Sequence, residues 1–242
     1  MSSSDLYVSL SAQMALEKRM DTIANNIANL NTPGFRADGV KFDTVLSQSG
    51  GESVAFASSG RPYISRQAGP MEYTGNSLDV AIGGDGWFAL STPGGQVYTR
   101  DGRFHLNAQG ELQSVKGYSV LDPGGGPISL DPAAGPVEIR QDGSISQGGK
   151  PLGAIGLFLL PPQASLTHYD NSAVKSDQAG VVAEDLTTNT VRQGYVEGAN
   201  VNPVLEMTRL IAVSRAFDNA VAAIQQSDTK TEDAIRSLGP SS

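Results

Sequence analysis

Apolar residues recur at helical spacing near both ends of the chain, and at no such spacing between them. Leu16, Met20, Ile23, Ile27 and Leu30 follow one another at intervals of 4, 3, 4 and 3 residues. Leu210, Val213, Phe217, Ala220 and Ile224 follow at 3, 4, 3 and 4, with Val221 beside them, and the seam continues more weakly through Thr231, Ala234 and Leu238. Both stripes predict amphipathic helices with a coiled-coil-like seam. Ser2 and Asp5 fit a capping box before the first helix. Thr32-Pro33-Gly34 ends it, because the residue before a proline avoids the helical region and glycine turns freely. Asn202 suits the N-cap of the second helix and Pro203 its first position.

Glycine marks the same division. None occurs in residues 1–33 or 199–238, while 18 of the 28 fall between Gly75 and Gly156. That middle stretch reads as short strands, LDVAI, WFAL, QVYT, FHL, ELQSV, YSVL and AIGLFLL, separated by turns such as Asp85-Gly86, Asp101-Gly102 and Asp142-Gly143. The expected fold is α+β: terminal helices paired in a coiled-coil-like manner, with a central, mainly antiparallel β domain. The expected domains are a discontinuous helical one at 1–36 and 199–242, a connector region at 37–75 and 161–198, and the β domain at 76–160.

The first stripe is interrupted by neutral amides. In TIANNIANLNTPGFR, residues 22–36, Asn25, Asn26 and Asn29 fall on the far side from the aliphatic positions. Asparagine is a mediocre helix former, and a solvated face would use Lys, Glu or Gln. Against another packed helix, amides can pair mutually where a lone charge would be costly. A solvated polar face ending in a loop is the plainer alternative. A single helix of this length is marginal alone, and Leu6, Leu10 and Met14 leave apolar flanks beside the seam. The ends are therefore expected to pack on each other and on further copies or relatives of the chain.

Charge narrows the functions. The net charge of −8, with no basic run, argues against nucleic acid and against an anionic membrane surface. The absence of cysteine excludes disulfides, thiolate metal sites and a cysteine nucleophile. No secretory signal and no 18-residue apolar stretch is present, which by itself suggests a soluble cytoplasmic protein without direct membrane insertion.

No catalytic constellation emerges. His105 sits in a strand-like segment and His168 in a polar connector, and the two offer no metal spacing. Gly84-Asp85-Gly86-Trp87-Phe88-Ala89 matches a dinucleotide pattern, but a strand follows where phosphate binding needs a helix, so it reads as a hairpin turn. Gly143 to Lys150 is one residue too long for a phosphate loop, and Pro151 replaces the metal-binding hydroxyl. Asp85, Asp101 and Asp142 do ordinary turn work. Trp87 reads as a sheet-packing residue, with a subunit contact as the lesser alternative. No catalytic residue, cofactor or metal is expected.

These segments together resemble the bacterial flagellar rod and hook proteins. IANNIANLNTPGFR at 23–36 resembles their N-terminal signature, and GYVEGANVNPVLEMTRLIAVSRAF at 194–217 their C-terminal one. TGNSLDVAIGGDGWFAL, YTRDGRFHLNAQGEL, KGYSVL and GGPISL resemble the intervening module in the same order, so the resemblance covers most of the chain. Phe217, where relatives often carry Tyr, is a conservative departure. The length leaves no room for a hook protein's extra domains, and the simplest rod proteins lack the β module. Trp87 and the compact 37–75 segment look more like the proximal-rod type than the distal-rod type.

The resemblance implies a structural subunit, not an enzyme. It would polymerise with itself and with other rod subunits into a tube that transmits torque and encloses the export channel, its β module projecting outward. It implies secretion by the flagellar type III export apparatus without a cleaved signal, hence a periplasmic rod in place of the cytoplasm, and ends that order only on assembly. The expected assembly interface comprises Leu16, Met20, Ile23, Ile27 and Leu30 with Leu210, Val213, Phe217, Val221 and Ile224, plus Asn25, Asn26 and Asn29 for amide contacts between subunits. The competing class is a self-contained soluble β-domain binding module or enzyme.

Overall fold

The computed structural model describes residues 3–42, 44–49, 52–57 and 60–238. The capping box at Ser2 and Asp5, the Leu6 side chain, and the seam's continuation through Thr231, Ala234 and Leu238 lie outside the residues or side chains described. The chain is α+β and divides into two units.

The first unit comprises residues 1–28, 38–63 and 202–242. It holds α1 (Ser3–Ala28), β1 (Asp38–Lys41), β2 (Thr44–Ser49), β3 (Glu52–Ala57), most of β4 (Arg61–Ile64) and α2 (Pro203–Leu238). The helices contact each other, β1 pairs with β4, and β2 with β3 forms an antiparallel hairpin. Asn202 caps α2 as its sequence suggests: its Oδ1 accepts from the Leu205 N–H at 3.1 Å, and its carbonyl from the Glu206 N–H at 3.0 Å.

The second unit, residues 29–37 and 64–201, is built from antiparallel strands. In chain order these are β5 (Met71–Tyr73), β6 (Val80–Gly83), β7 (Trp87–Thr92), β8 (Gly95–Thr99), β9 (Phe104–Leu106), β10 (Leu112–Ser114) and β11 (Ser119–Val120). There follow β12 (Val137–Ile139), β13 (Ser144–Gln147), β14 (Lys150–Ala154), β15 (Leu157–Leu159) and β16 (Leu166–His168). Last come β17 (Ala173–Ser176), β18 (Val181–Val182), β19 (Thr190–Gln193) and β20 (Tyr195–Glu197). The main sheet runs β16-β17-β8-β7-β11-β10-β9, with β15 joined to β7 and β18 to β15. Smaller ladders are β12-β13-β14, β19-β6 and β20-β5.

The run WFAL is apolar at every position because β7 is buried on both faces. Alternate side chains of a strand point to opposite sides. Phe88 and Leu90 enter one core with Val80, Val97, Leu112, Val120 and Ile145. Trp87 and Ala89 enter the other with Tyr98, Leu121, Phe158 and Leu160. Trp87 is therefore a core residue, 2% exposed.

The two near-miss glycine motifs have plain structural roles. Gly148 and Gly149, at φ 56° and 77°, form the two-residue turn between β13 and β14. The Gly84-Asp85-Gly86 turn is not a hairpin, contrary to its sequence reading. β6 pairs with β19, whereas β7 pairs with β8, β11 and β15, so the turn carries the chain between ladders.

At residues 185–188, the exposed Asp185 carboxylate accepts the Thr187 hydroxyl at 2.6 Å, the Thr188 hydroxyl at 2.7 Å and the Thr187 N–H at 2.9 Å. These bonds, the Thr187 hydroxyl first, hold its carboxyl far below the ordinary 3.8. A carboxyl depressed in the folded state stabilises above its unfolded value and loses that stabilisation as pH falls through the folded one. Amide protection at Thr187 and Thr188 is expected to hold at pH 6 and to decline below about pH 4 in pH-dependent hydrogen exchange.

Candidate functional site

The apolar positions expected from the two stripes are all buried or half-buried, but α1 ends at Ala28, so Leu30 stands in the turn after the helix and not in its seam. Ile23 and Val213 are 4% and 5% exposed. Leu16, Met20, Ile27 and Leu30, like Leu210, Phe217, Val221 and Ile224, are half-buried. Beside them, large apolar side chains stand in solvent: Leu10 and Met14 on α1, and Val204, Leu205, Met207 and Ile211 on α2.

The asparagines end α1 within the chain. Asn26, 3% exposed, accepts the Asp38 N–H at 2.8 Å and donates to the Asp38 carbonyl at 3.0 Å. One neutral amide thereby serves both backbone groups at the start of β1, which a lysine or glutamate could not do. Asn25 donates to the Asp38 carboxylate at 2.6 Å. Asn29 accepts the Thr32 hydroxyl at 3.1 Å, while the Thr32 N–H returns to its carbonyl at 3.1 Å. This explains the amide-rich sequence locally.

The turn that follows is an integral part of the β unit. Gly34 adopts φ 71° and packs so closely that an added Cβ would lie 2.2 Å from the Asp101 nitrogen. Its N–H donates to the Glu197 carbonyl at 2.7 Å. Phe35, 1% exposed, stacks flat on His168 with ring centroids 5.5 Å apart. The Ala37 N–H donates to Asn200 Oδ1 at 2.6 Å.

Beneath this turn lies a buried charge cluster. Arg36 Nη2 lies 2.7 Å from Glu197 Oε1, and Arg100 Nη1 lies 3.1 Å from Glu197 Oε2; all three side chains are 1% exposed. Glu197 Oε1 also accepts the Gly69 N–H at 2.8 Å. Arg100 donates to the Gly84 carbonyl at 2.8 Å. Both guanidinium carbons sit over the Trp87 ring, 5.5 Å and 5.3 Å from its centroid. Cation–π attraction of this kind strengthens when desolvated. Burial, then the charge of Arg36, pushes Arg100 down to about 10, and burial likewise lowers Arg36 against the pull of Glu197. Among the described residues, Nε and Nη1 of Arg36 and Nε of Arg100 have no hydrogen-bond partner.

Sequence reasoning missed this cluster. Its only local signal is Glu197, a carboxylate where the strand pattern of Tyr195 and Val196 continues to be buried. His105 is exposed in β9, apart from His168, and among the described residues no group of three or more His, Asp or Glu could hold a metal ion. No described helix is long and apolar enough to cross a membrane.

Three family models match along the chain: the flagella basal body rod protein at 6–36, the flagellar hook protein FlgE/F/G D1 domain at 81–147, and the flagellar basal body rod FlgEFG protein C-terminal region at 192–237. The flagellar basal-body rod protein FlgF of Mesorhizobium japonicum is 51% identical, across 98% of each chain. FlgF of Rhizobium meliloti is 45% identical, again across 98% of each. FlgG of Bacillus subtilis is 31% identical, across 95% of this chain and 97% of its own. With the turn of the N-terminal signature carrying Arg36 onto the buried carboxylate of the C-terminal signature, and relatives that match across 98% of both chains, the chain belongs to the flagellar basal-body rod protein family, within which it is FlgF-like.

Proposed function

We propose that this chain is the FlgF-type subunit of the flagellar rod, polymerising through its terminal helices with copies of itself and with other rod subunits. The family is structural, not an enzyme family. The observation that carries the polymerisation reading is the apolar surface on both helices. Met14 is 60% exposed, and Val204, Met207 and Ile211 are 73%, 52% and 55% exposed. Val204, Met207 and Ile211 follow at helical spacing and form one stripe. A contiguous stripe of large apolar residues marks a surface that another protein covers.

In this reading the seam residues Leu16, Met20, Ile23 and Ile27 pair with Leu210, Val213, Phe217, Val221 and Ile224 in a coiled-coil-like core. The exposed stripe meets neighbouring subunits, and Asn25, Asn26 and Asn29 hold the helix end to which neighbours dock. The helical unit, residues 1–28, 38–63 and 202–242, is the assembling part, and residues 76–160 lie within the β unit. The assembled tube transmits torque and encloses the export channel. The chain reaches the periplasm through the flagellar type III apparatus without cleavage.

The rival within the family is the distal rod. The higher identity to FlgF, 51% and 45% against 31% for FlgG, favours the proximal assignment. Disrupting the gene and imaging isolated basal bodies tests it. Rods that stop short in their proximal part are expected, with motility lost. Rods broken only at the distal end would assign the chain there instead.

A further inference from the structure

Residues 189–200 tie together parts of the β unit that lie far apart in the chain. Asn189 Oδ1 accepts the Asp85 N–H at 3.0 Å, and β19 pairs with β6. The Gln193 amide donates to the Ser77 and Val137 carbonyls at 2.8 Å and 2.7 Å and accepts the Ile139 N–H at 3.2 Å. β20 pairs with β5, and Glu197 meets Arg36 and Arg100. The Asn200 amide takes the Ala37 N–H at 2.6 Å and donates to Ser65 Oγ at 3.1 Å and the Gln67 carbonyl at 2.7 Å. These side-chain bonds bridge separations from 54 to 163 residues. No other segment of this length carries a carboxylate into contact with two buried guanidiniums among the described residues.

We propose that residues 189–200 form a closing strap that gates the folding of the β unit, with Glu197 as the group that permits closure. Until Glu197 arrives, Arg36 and Arg100 have no carboxylate in contact. Burying two guanidiniums side by side without one is strongly unfavourable, since each loses its water and repels the other. The signature turn at 29–37 therefore stays undocked, and the Trp87 ring stays without the two guanidiniums that cover it. Because Arg36 lies early in the chain and Glu197 late, the unit closes only after residue 197 has emerged. In a chain made N-terminus first, Arg36 and Arg100 wait for their carboxylate until then. This gate follows from contacts within one unit and does not depend on the rod reading.

Trp87 reports closure directly, being the sole tryptophan, buried, and under both guanidiniums. The test is stopped-flow refolding and unfolding of the full chain, read by Trp87 fluorescence, for wild type and Glu197→Gln. If the strap closes in the rate-limiting step, folding slows at least about tenfold while unfolding changes less than about threefold. Unchanged folding with faster unfolding would overturn the proposal, because the strap would then dock after the barrier. Should Glu197→Gln fail to fold, Gln193→Ala and Asn200→Ala probe the same strap through neutral groups. Slower folding in both supports the gate, and faster unfolding alone in both refutes it. Gln147→Ala, whose amide ties the Asp131 and Gly135 carbonyls outside the strap, is expected to act on unfolding only. Slowed folding there too would show that the strap holds no special place, and would also overturn the proposal.

Discussion

Gly34→Ala is expected to destabilise the β unit by roughly 2–5 kcal/mol, as the sum of a backbone and a packing cost. Gly34 adopts φ 71°, a left-handed conformation that costs a residue with a Cβ about 1–2 kcal/mol. The added carbon would also lie 2.2 Å from the Asp101 nitrogen and 2.6 Å from the Arg100 carbonyl carbon. Both are backbone atoms in the strand connection that carries Arg100 into the charge cluster, so neither can swing aside. Forcing the turn outward would drag Phe35 from His168 and Arg36 from Glu197. Against a typical total of about 5–15 kcal/mol, the loss is a large fraction of stability. Urea unfolding followed by Trp87 fluorescence measures it. Gly95→Ala supplies the comparison: its φ is 98°, yet an added Cβ there meets nothing within 4 Å. Only the backbone cost is expected at Gly95. Equal effects at the two positions would show that the close approach at Gly34 does not matter.

Ile211→Asp is expected to separate folding from assembly. Ile211 is 55% exposed, between Val204 and Met207 on one side and the polar turns of α2 on the other. Exposed substitutions of this kind usually change stability by less than about 0.5 kcal/mol, so the isolated chain should unfold as the wild type does. Covered by an apolar neighbour, the same carboxylate would be desolvated without a partner, which costs several kcal/mol and more when repeated along a polymer. Val213→Asp is the contrast: Val213 is 5% exposed, so a carboxylate there should already destabilise the isolated helical unit.

The sequence disclosed the ends of the fold more fully than its centre. Helical periodicity located both α-helices, and Asn202-Pro203 marked the start of α2, because caps and seams are local or nearly so. WFAL was legible as a strand, but its burial on both faces was not, since an all-apolar run does not say what covers each side. The stretches 37–75 and 161–197, which read as connectors, contain β1 to β5 and β16 to β20. Among these, β5, β19 and β20 are short and pair with strands far along the chain, so no local alternation betrays them.

The candidate site was legible in half. The asparagines drew notice as misplaced in a helix, and their use is now visible: Asn26 holds Asp38 and Asn29 holds Thr32. In the proposed function they hold the helix end to which neighbouring subunits dock. Arg36, Arg100 and Glu197 could not be joined from sequence, because nothing local links positions so far apart. Glu197 in particular lies among apolar strand residues, and only a buried counter-charge explains it.

In the proposed function this chain builds the rod through the exposed apolar faces of its terminal helices. The most direct measurement is electron microscopy of basal bodies from cells whose only copy of this chain carries Ile211→Asp, with the secreted chain checked for native Trp87 fluorescence. A folded, secreted chain, rods that stop where this subunit should enter, and cells that do not swim are expected. Complete rods and normal swimming with the variant chain incorporated would contradict the proposed function, because that face would then have no neighbour to meet.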